Sequence, residues 1–428
     1  MLRSLFSAVS GLRGHQTMMD VIGNNIANIN TAGYKSSQVV FEDTLSQALK
    51  AAGSPQGTSG GTNPAQVGLG VRVGGITTNF SQGATQMTGR STDITLQGDG
   101  FFVVKQDGQT LYSRAGAFSF DALGNLVNPD GAIVQGWQAD QSGAINPNAA
   151  LTGLKLPIGQ IKDPQQTHKI NVGGNLPSDA AVGDKLVSSI DVFDKQGKAI
   201  PATFTYTKTA TDTWSLRITV PDPADATKTV DMLPGASPAT QSLTWDPATQ
   251  TFAPAGPLTL SVTAANTAGY TFDATVANLP TVGLGTTTNP LTQFASANTV
   301  SALDQDGSAL GSLQSFTLSP DGTLLGIFSN GQKQSLGRVA VANFNNPPGL
   351  EKVGGSLYRD TSNSGTPAVG TAGSGGRGTL ASGALEMSNV DLAQEFTNLV
   401  VAQRGFQANS RVVSASDEIL QDLVNMKH

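Results

Sequence analysis

The chain has 428 residues, a formal net charge of −6, no cysteine, 50 glycines and 13% charged side chains, about half the ~25% of an average soluble domain. Its length exceeds one ordinary core and implies roughly two to four domains. The missing cysteines exclude disulfides, thiolate metal sites and cysteine nucleophiles, and an acidic balance without a basic run speaks against a nucleic-acid partner.

No stretch approaches the ~18 apolar residues of a membrane span, and no membrane insertion is expected. The first twenty residues lack the unbroken apolar core of a cleaved signal peptide. A low-charge surface rich in Ser, Thr, Asn, Gln and Gly suits packing against copies of the same chain.

The N-terminal segment predicts a helix. Leu2, Leu5, Val9, Leu12, Met19 and Ile26 alternate spacings of three and four, with Gln16 and Gly23 in the gaps and Ile22 beside them. Only Arg3, Arg13 and Asp20 carry charge before residue 33, far fewer than a solvent-facing helix needs for solubility and i,i+4 pairing. Asn24, Asn25, Asn28 and Asn30 thin its end, although asparagine disfavours helix interiors. A Gly/Ser/Pro loop or linker follows at 51–66 ("AAGSPQGTSGGTNPAQ").

The middle of the chain predicts strands. Residues 68–80 alternate apolar with small or polar side chains, and 99–137 form a meander turning at Asp107-Gly108, Gly124-Asn125 and Asp130-Gly131. Residues 186–220 carry a hairpin signal at Lys195-Gln196-Gly197, and 315–344 turn at Asp321-Gly322 and Asn330-Gly331. At the C-terminus Leu392, Phe396, Leu399, Phe406, Val413, Leu420 and Val424 repeat the helical spacing, with Gln403, Ser410 and Asp417 between them. Seams this long point to coiled-coil contacts, each terminal segment closing on the other and on neighbouring molecules. Ser388-Asn389 are capping residues ahead of Asp391.

Chemistry is not signalled. Gly57-Thr-Ser59-Gly-Gly61 fits the nucleophile-elbow string but lies in the 51–66 loop, and only His15, His168 and His428 could serve as a triad base. Gly373-Ser-Gly375-Gly-Arg-Gly378 matches a dinucleotide fingerprint without the preceding strand, which leaves a hinge, with Gly375 and Gly378, before the C-terminal helix. Asp304-Gln-Asp306-Gly307 lacks the calcium loop's terminal glutamate, Ser315 standing there. No catalytic residue, cofactor or metal is expected.

Three segments resemble the bacterial flagellar rod and hook axial-protein family: "SAVSGLRGHQTMMDVIGNNIANINTAGYKSSQVVFEDTL", "GDGFFVVKQDGQTLYSRAGAFSFDALGNLVNPDGAIVQGW" and "GALEMSNVDLAQEFTNLVVAQRGFQANSRVVSASDEILQDLVNM". An extra insertion near 158–312 is present as in hook-type members and lacking in the shorter distal-rod type, and 335–386 resembles the hook type in detail, while the β character of 158–312 rests on its alternation. The resemblance implies a mixed, mostly β fold with long terminal α-helices and nested discontinuous domains. These are a terminal helical part (1–30, 390–428), a connector (31–75, 376–389), a β-rich core (76–157, 313–375) and an inserted outer β domain (158–312).

The resemblance further implies a curved tubular homopolymer that transmits torque and encloses an export channel. Its partners would be other copies of itself, the distal rod protein, the hook cap and the hook–filament junction proteins. Export would run through the flagellar type III apparatus without cleavage, to an extracellular place in the flagellum. On this view the asparagines Asn24, Asn25 and Asn28 bond in a crowded polar face, Gly33 stops the helix, Tyr34 and Lys35 begin the connector, and Phe41 anchors it. A rod-type axial protein is the alternative within the family. A secreted enzyme using Asp191 and Asp194, or an adhesin, is the alternative outside it.

Overall fold

The computed structural model describes residues 2–55, 60–140, 142–157, 159–225, 227–235, 237–254, 256–273, 275, 279–286 and 288–425. It contains a long helix at each end, α1 (Leu2–Ala27) and α3 (Leu392–Asn425), a short helix α2 (Thr263–Thr267), and strands between. The fold is mostly β with terminal helices. The chain divides into two compact units, one of residues 1–157, 316–325 and 334–428, the other of 158–315 and 326–333.

In the first unit, the segment after α1 is a two-tier antiparallel ribbon. Strand β1 (Ser37–Asp43) pairs with β4 (Val71–Thr78), and β2 (Ser46–Lys50) with β3 (Ala65–Gly68). The sequence at 51–66 is therefore largely the connection between β2 and β3. A bulge between Val40 and Phe41 bends the ribbon. Every side chain of β2 and β3 is exposed, including Leu49 and Val67.

The two halves of the chain are then stitched together. Strand β5 (Thr85–Met87) pairs with Ala384–Glu386, and β6 (Ile94–Gln97) with Thr379–Ser382. Strands β7 (Phe101–Gln106) and β8 (Gln109–Ser113) form a hairpin across Asp107-Gly108, whose φ angles of 49° and 82° suit the twist of the flanking strands. Strand Lys333–Asn343 pairs with β7 and with Ile133–Gln138, and Leu357–Arg359 extends β8. Edge-to-face aromatic contacts (Phe80, Phe101, Phe344 and Tyr358) fill the core.

The second unit shows alternation over most of its long strands. In Ala199–Ala210 the buried residues are Ile200, Ala202, Phe204, Tyr206 and Lys208, and in Thr213–Pro221 they include Trp214, Leu216 and Ile218. These strands belong to one antiparallel sheet. Their inner faces share a core with Ile170 and Val172 of a second, mixed sheet built around Lys169–Asn175. The two acidic candidates do not form a buried pair. Asp191 is exposed, whereas Asp194 is buried and accepts bonds from Gln196 N, Lys198 N and Thr271 Oγ1, as a turn-holding carboxylate does.

Candidate assembly interface

Helices α1 and α3 pack along their lengths. Three contacts fix their sense: Gly11 faces Asn409, His15 faces Gly405, and Asn25 Nδ2 donates to Glu395 Oε1 at 3.2 Å. The numbers rise on one helix as they fall on the other, so the pair is antiparallel. Buried at the seam are Ala8, Gly11, Ile22 and Asn25 on α1, and Ala402 and Ser416 on α3.

This seam differs from the apolar spacing by one position. The sequence places Gln16 and Gly23 in the gaps of α1, and Gln403, Ser410 and Asp417 in those of α3. All five are exposed, and His15, Ile22, Ala402, Asn409 and Ser416 stand in their place. The physical reason is closeness: Ala8, Gly11, Ala402 and Gly405 let the backbones approach, and His15 and Asn409 fill the space over the two glycines. Accordingly Leu5, Val9, Leu12, Met19 and Ile26 are half-buried beside the seam, as are Leu399, Phe406, Val413 and Leu420, and Ile22 is buried. Leu392 and Phe396 are exposed, with Phe396 at 50%. The side chains of Leu2 and Val424 lie outside the described residues, as do Gly57, Thr58 and Ser59 of the nucleophile-like string.

Where the helix pair meets the β core, polar groups converge. Helix α1 ends at Ala27, and residues 28–32 form turns held by Asn28, whose Nδ2 donates to Asn24 O and Oδ1 while Thr31 Oγ1 donates to Asn28 Oδ1. Gly33 is thus not the cap of α1. It turns the chain at φ 69°, and a Cβ there would lie 2.5 Å from Ala115 N. Its N–H donates to Glu386 O at 2.7 Å.

Of the asparagines, Asn25 carries the junction. Its Nδ2 also donates to Ser37 O at 2.8 Å, and its Oδ1 accepts from Ser37 N (3.0 Å) and Tyr34 Oη (3.2 Å). Every hydrogen-bonding position of that amide is used without burying a charge. Asn24 and Asn30 are exposed.

Lys35 is fully buried. Its Nζ donates to Glu386 Oε1 at 2.6 Å and to Ser81 O at 2.7 Å, and Gly83 N donates to the same Oε1 at 2.9 Å. Arg114 Nε stands 3.9 Å from Glu386 Oε2, while its Nη1 donates to Gly98 O at 2.7 Å. Burial pulls the Lys35 amine and the Arg114 guanidinium below their ordinary values, and in both the Glu386 carboxylate opposes that shift.

Lys352 Nζ donates to Lys35 O and Ser37 Oγ and lies 5.1 Å from the Tyr34 ring centre. Burial also lowers the Lys352 amine, whereas burial and the nearby Glu395 raise the Tyr34 phenol. Asn389 ties the other strand in, accepting from Ser36 N and donating to Asn79 O and Ser81 O. The helix cap is Asp391, whose Oδ1 accepts from Ala393 N and Gln394 N, one turn beyond the expected Ser388-Asn389.

Phe41 is partly exposed and packs its ring 5.8 Å from that of His15. Gly375 and Gly378 do not adjoin α3. They sit in a turn closed by Gly373 N to Gly378 O and by Arg377 Nε to Thr371 O, and two strands intervene before the helix.

Family comparisons match this layout. Four family descriptions match parts of the chain: "Flagella basal body rod protein" over 5–35, "Flagellar hook protein FlgE/F/G D1 domain" over 95–175, "Flagellar basal body protein FlaE D2 domain" over 177–308, and "Flagellar basal body rod FlgEFG protein C-terminal" over 381–426. The flagellar hook protein FlgE of Treponema pallidum is 40% identical over 474 residues, and that of Borreliella burgdorferi 38% over 446, each with all of both chains covered. The chain belongs to the flagellar hook protein family. A crystal structure of Helicobacter pylori flagellar hook protein FlgE2 shares the fold (TM-score 0.52) at 16% identity, covering 71% of this chain and 100% of its own.

Several residues of the junction escape any reading of local pattern, among them Glu386, Arg114 and Lys352, while Asn389 reads as a capping residue and serves the junction instead. The one available signal is Glu386, a lone carboxylate in the otherwise uncharged stretch "ASGALEMSN".

Proposed function

We propose that the chain polymerises through its helix pair into the curved hook tube, a universal joint passing torque from rod to filament around an export channel. It is a structural subunit of the hook, and the hook is part of the external flagellum. One observation carries the assembly reading: the helix pair keeps large apolar side chains in solvent after α1 and α3 have packed. Phe6 is 66% exposed, Phe396 50%, Val400 55% and Val401 57%. Side chains of this size on paired helices invite other helices.

In this arrangement α1 and α3 line the inner tube. The ribbon β1–β4 and residues 376–389 connect, residues 76–157 and 313–375 form the core, and 158–312 stands outward. The buried polar junction around Asn25, Lys35 and Glu386 ties the helices to the core. The low charge of the chain supports sliding of outer contacts as the tube bends, because neutral polar contacts exchange at small cost. The distal rod protein, hook cap and hook–filament junction proteins are the expected neighbours, and the flagellar type III apparatus the expected exporter. No helix among the described residues is long and apolar enough to cross a membrane.

The test is immunogold electron microscopy of isolated flagella with antibody against 158–312. Gold along the short curved segment supports the proposal. Gold on the straight rod assigns the chain a rod role, and unlabelled flagella overturn both.

A further inference from the structure

Four residues at the centre of the helix pair form a reciprocal arrangement. On α1, Gly11 is followed four residues later by His15; on α3, Gly405 is followed four residues later by Asn409. Across the antiparallel seam each large side chain lies over the other helix's glycine. A Cβ on Gly11 would meet Asn409 Nδ2 at 2.8 Å, and a Cβ on Gly405 would meet His15 Cε1 and Nε2 at 2.5 Å. Neither site has room for even a methyl group unless the opposing side chain moves.

The knobs are themselves held. Asn409 Nδ2 donates to Gly405 O at 2.9 Å, which fixes its side chain against its own helix. The His15 ring packs against Phe41, whose Cε1 would lie 2.7 Å from a Cβ on the adjacent Gly14. One turn of α1 therefore receives both α3 and strand β1. His15 Nδ1 is buried without a hydrogen-bond partner, so the ring acts here by its shape.

We propose that Gly11, His15, Gly405 and Asn409 are positioning residues that set the axial register of α1 against α3. Toward one end of the seam the Asn25–Glu395 hydrogen bond also resists a slip, whereas Ala8, Ile22, Leu399, Ala402 and Val413 are apolar groups that tolerate displacement along the helix because dispersion contacts are non-directional. The knob-and-glycine cluster does not tolerate it. A slip of one turn, ~5.4 Å, would drive each knob into a residue bearing a Cβ. Register matters because the exposed Phe6 belongs to α1 and the exposed Phe396 and Val400 to α3. A slip would shear the surface that neighbouring copies meet, and in this consequence the inference rests on the assembly reading above.

The absence of cysteine makes the test clean. The opposed pairs Gly11/Asn409, His15/Gly405 and Asn25/Glu395 place Ile22 opposite Asn398 in the antiparallel register, so Ile22→Cys with Asn398→Cys reports that register by disulfide formation in the full chain. Gly11→Asn should lower both cross-link yield and pelletable polymer about tenfold or more, the scale of an overpacked contact. The exchange variant, Gly11→Asn with Asn409→Gly, carries the same side chains across the same gap and should recover both to within about threefold. Gly11→Asn alone leaving cross-link and polymer unchanged would overturn the proposal, and so would an exchange variant no better than the single one. The His15→Gly, Gly405→His exchange gives a second, independent trial with the same criteria. An Ile22→Cys, Asn398→Cys chain with the four lock residues intact that cross-links in register but never pellets would instead count against the assembly reading and leave the lock standing.

Discussion

Replacing Glu386 by Leu isolates the buried charge at the junction. The carboxylate is fully buried and receives Lys35 Nζ at 2.6 Å and Gly83 N at 2.9 Å. In Glu386→Leu, Lys35 keeps only Ser81 O, and Arg114 loses one of its two acidic neighbours, keeping Asp99. Removing one partner of a buried pair costs ~3–5 kcal/mol, because the other charge is left uncompensated. The loss at Gly83 N belongs to the same network and does not add in full.

The reporters are the amides of Gly33 and Ser36, which donate to the Glu386 carbonyl and to Asn389 Oδ1. Native-state hydrogen exchange at both should quicken by about two to four decades, one decade per ~1.4 kcal/mol. The double variant Lys35→Met, Glu386→Leu removes the closest charge pair but leaves Arg114 beside an apolar site, so it should recover part of that protection, since an apolar pair can replace a buried ion pair at little cost. A change below about tenfold in the single variant, or a double variant no better protected than the single, would refute the assignment of the junction to charge compensation.

Gly33→Val forces a β-branched residue to φ 69° with its Cβ 2.5 Å from Ala115 N. Strain and overpacking together cost ~2–5 kcal/mol, so tubes seen by negative-stain microscopy should disappear while the melting of unit 158–315 is kept; normal tubes would contradict this. Burial raises the Glu395 carboxyl above its ordinary value of 4.5, Asn25 opposing and Asp391 reinforcing the shift. A carboxyl raised in the folded state carries no penalty below 4.5 and an increasing one as the pH climbs through its folded value. Glu395→Gln should therefore raise the melting temperature at pH 7 and leave it unchanged at pH 3, and thermal melts at the two pH values check the sign. Phe396→Ser should reduce polymer yield in sedimentation with little effect on monomer melting, because its ring is half exposed. Deleting 158–312 should leave polymers whose curvature or stiffness is altered, and cryo-electron micrographs with no polymer at all would make that segment part of the assembly machinery.

The sequence by itself determined the kind of element at nearly every station. Apolar residues at spacings of three and four specify α1 and α3, and Asp-Gly and Asn-Gly pairs specify hairpin turns, because these signals are local and act within a few residues. Low charge and the lack of cysteine already set the class of surface. The family resemblance at 7–45, 98–137 and 383–426 carried the fold and the hook role further than periodicity could.

Tertiary structure alone decided the phase of the helix seam and the wiring of the junction. Hydrophobic spacing follows large apolar residues, yet what brings α1 to α3 is smallness at Gly11, Ala402 and Gly405, which a hydrophobic pattern does not register. Likewise 51–66 reads as a loop or a linker, and the pairing of β2 with β3 makes most of it a loop. Lys35 and Glu386 stand 351 positions apart, and no local rule joins them. Their pairing exists only because β5 and Ala384–Glu386 bring the two ends of the chain side by side, where a buried amine requires a buried carboxylate.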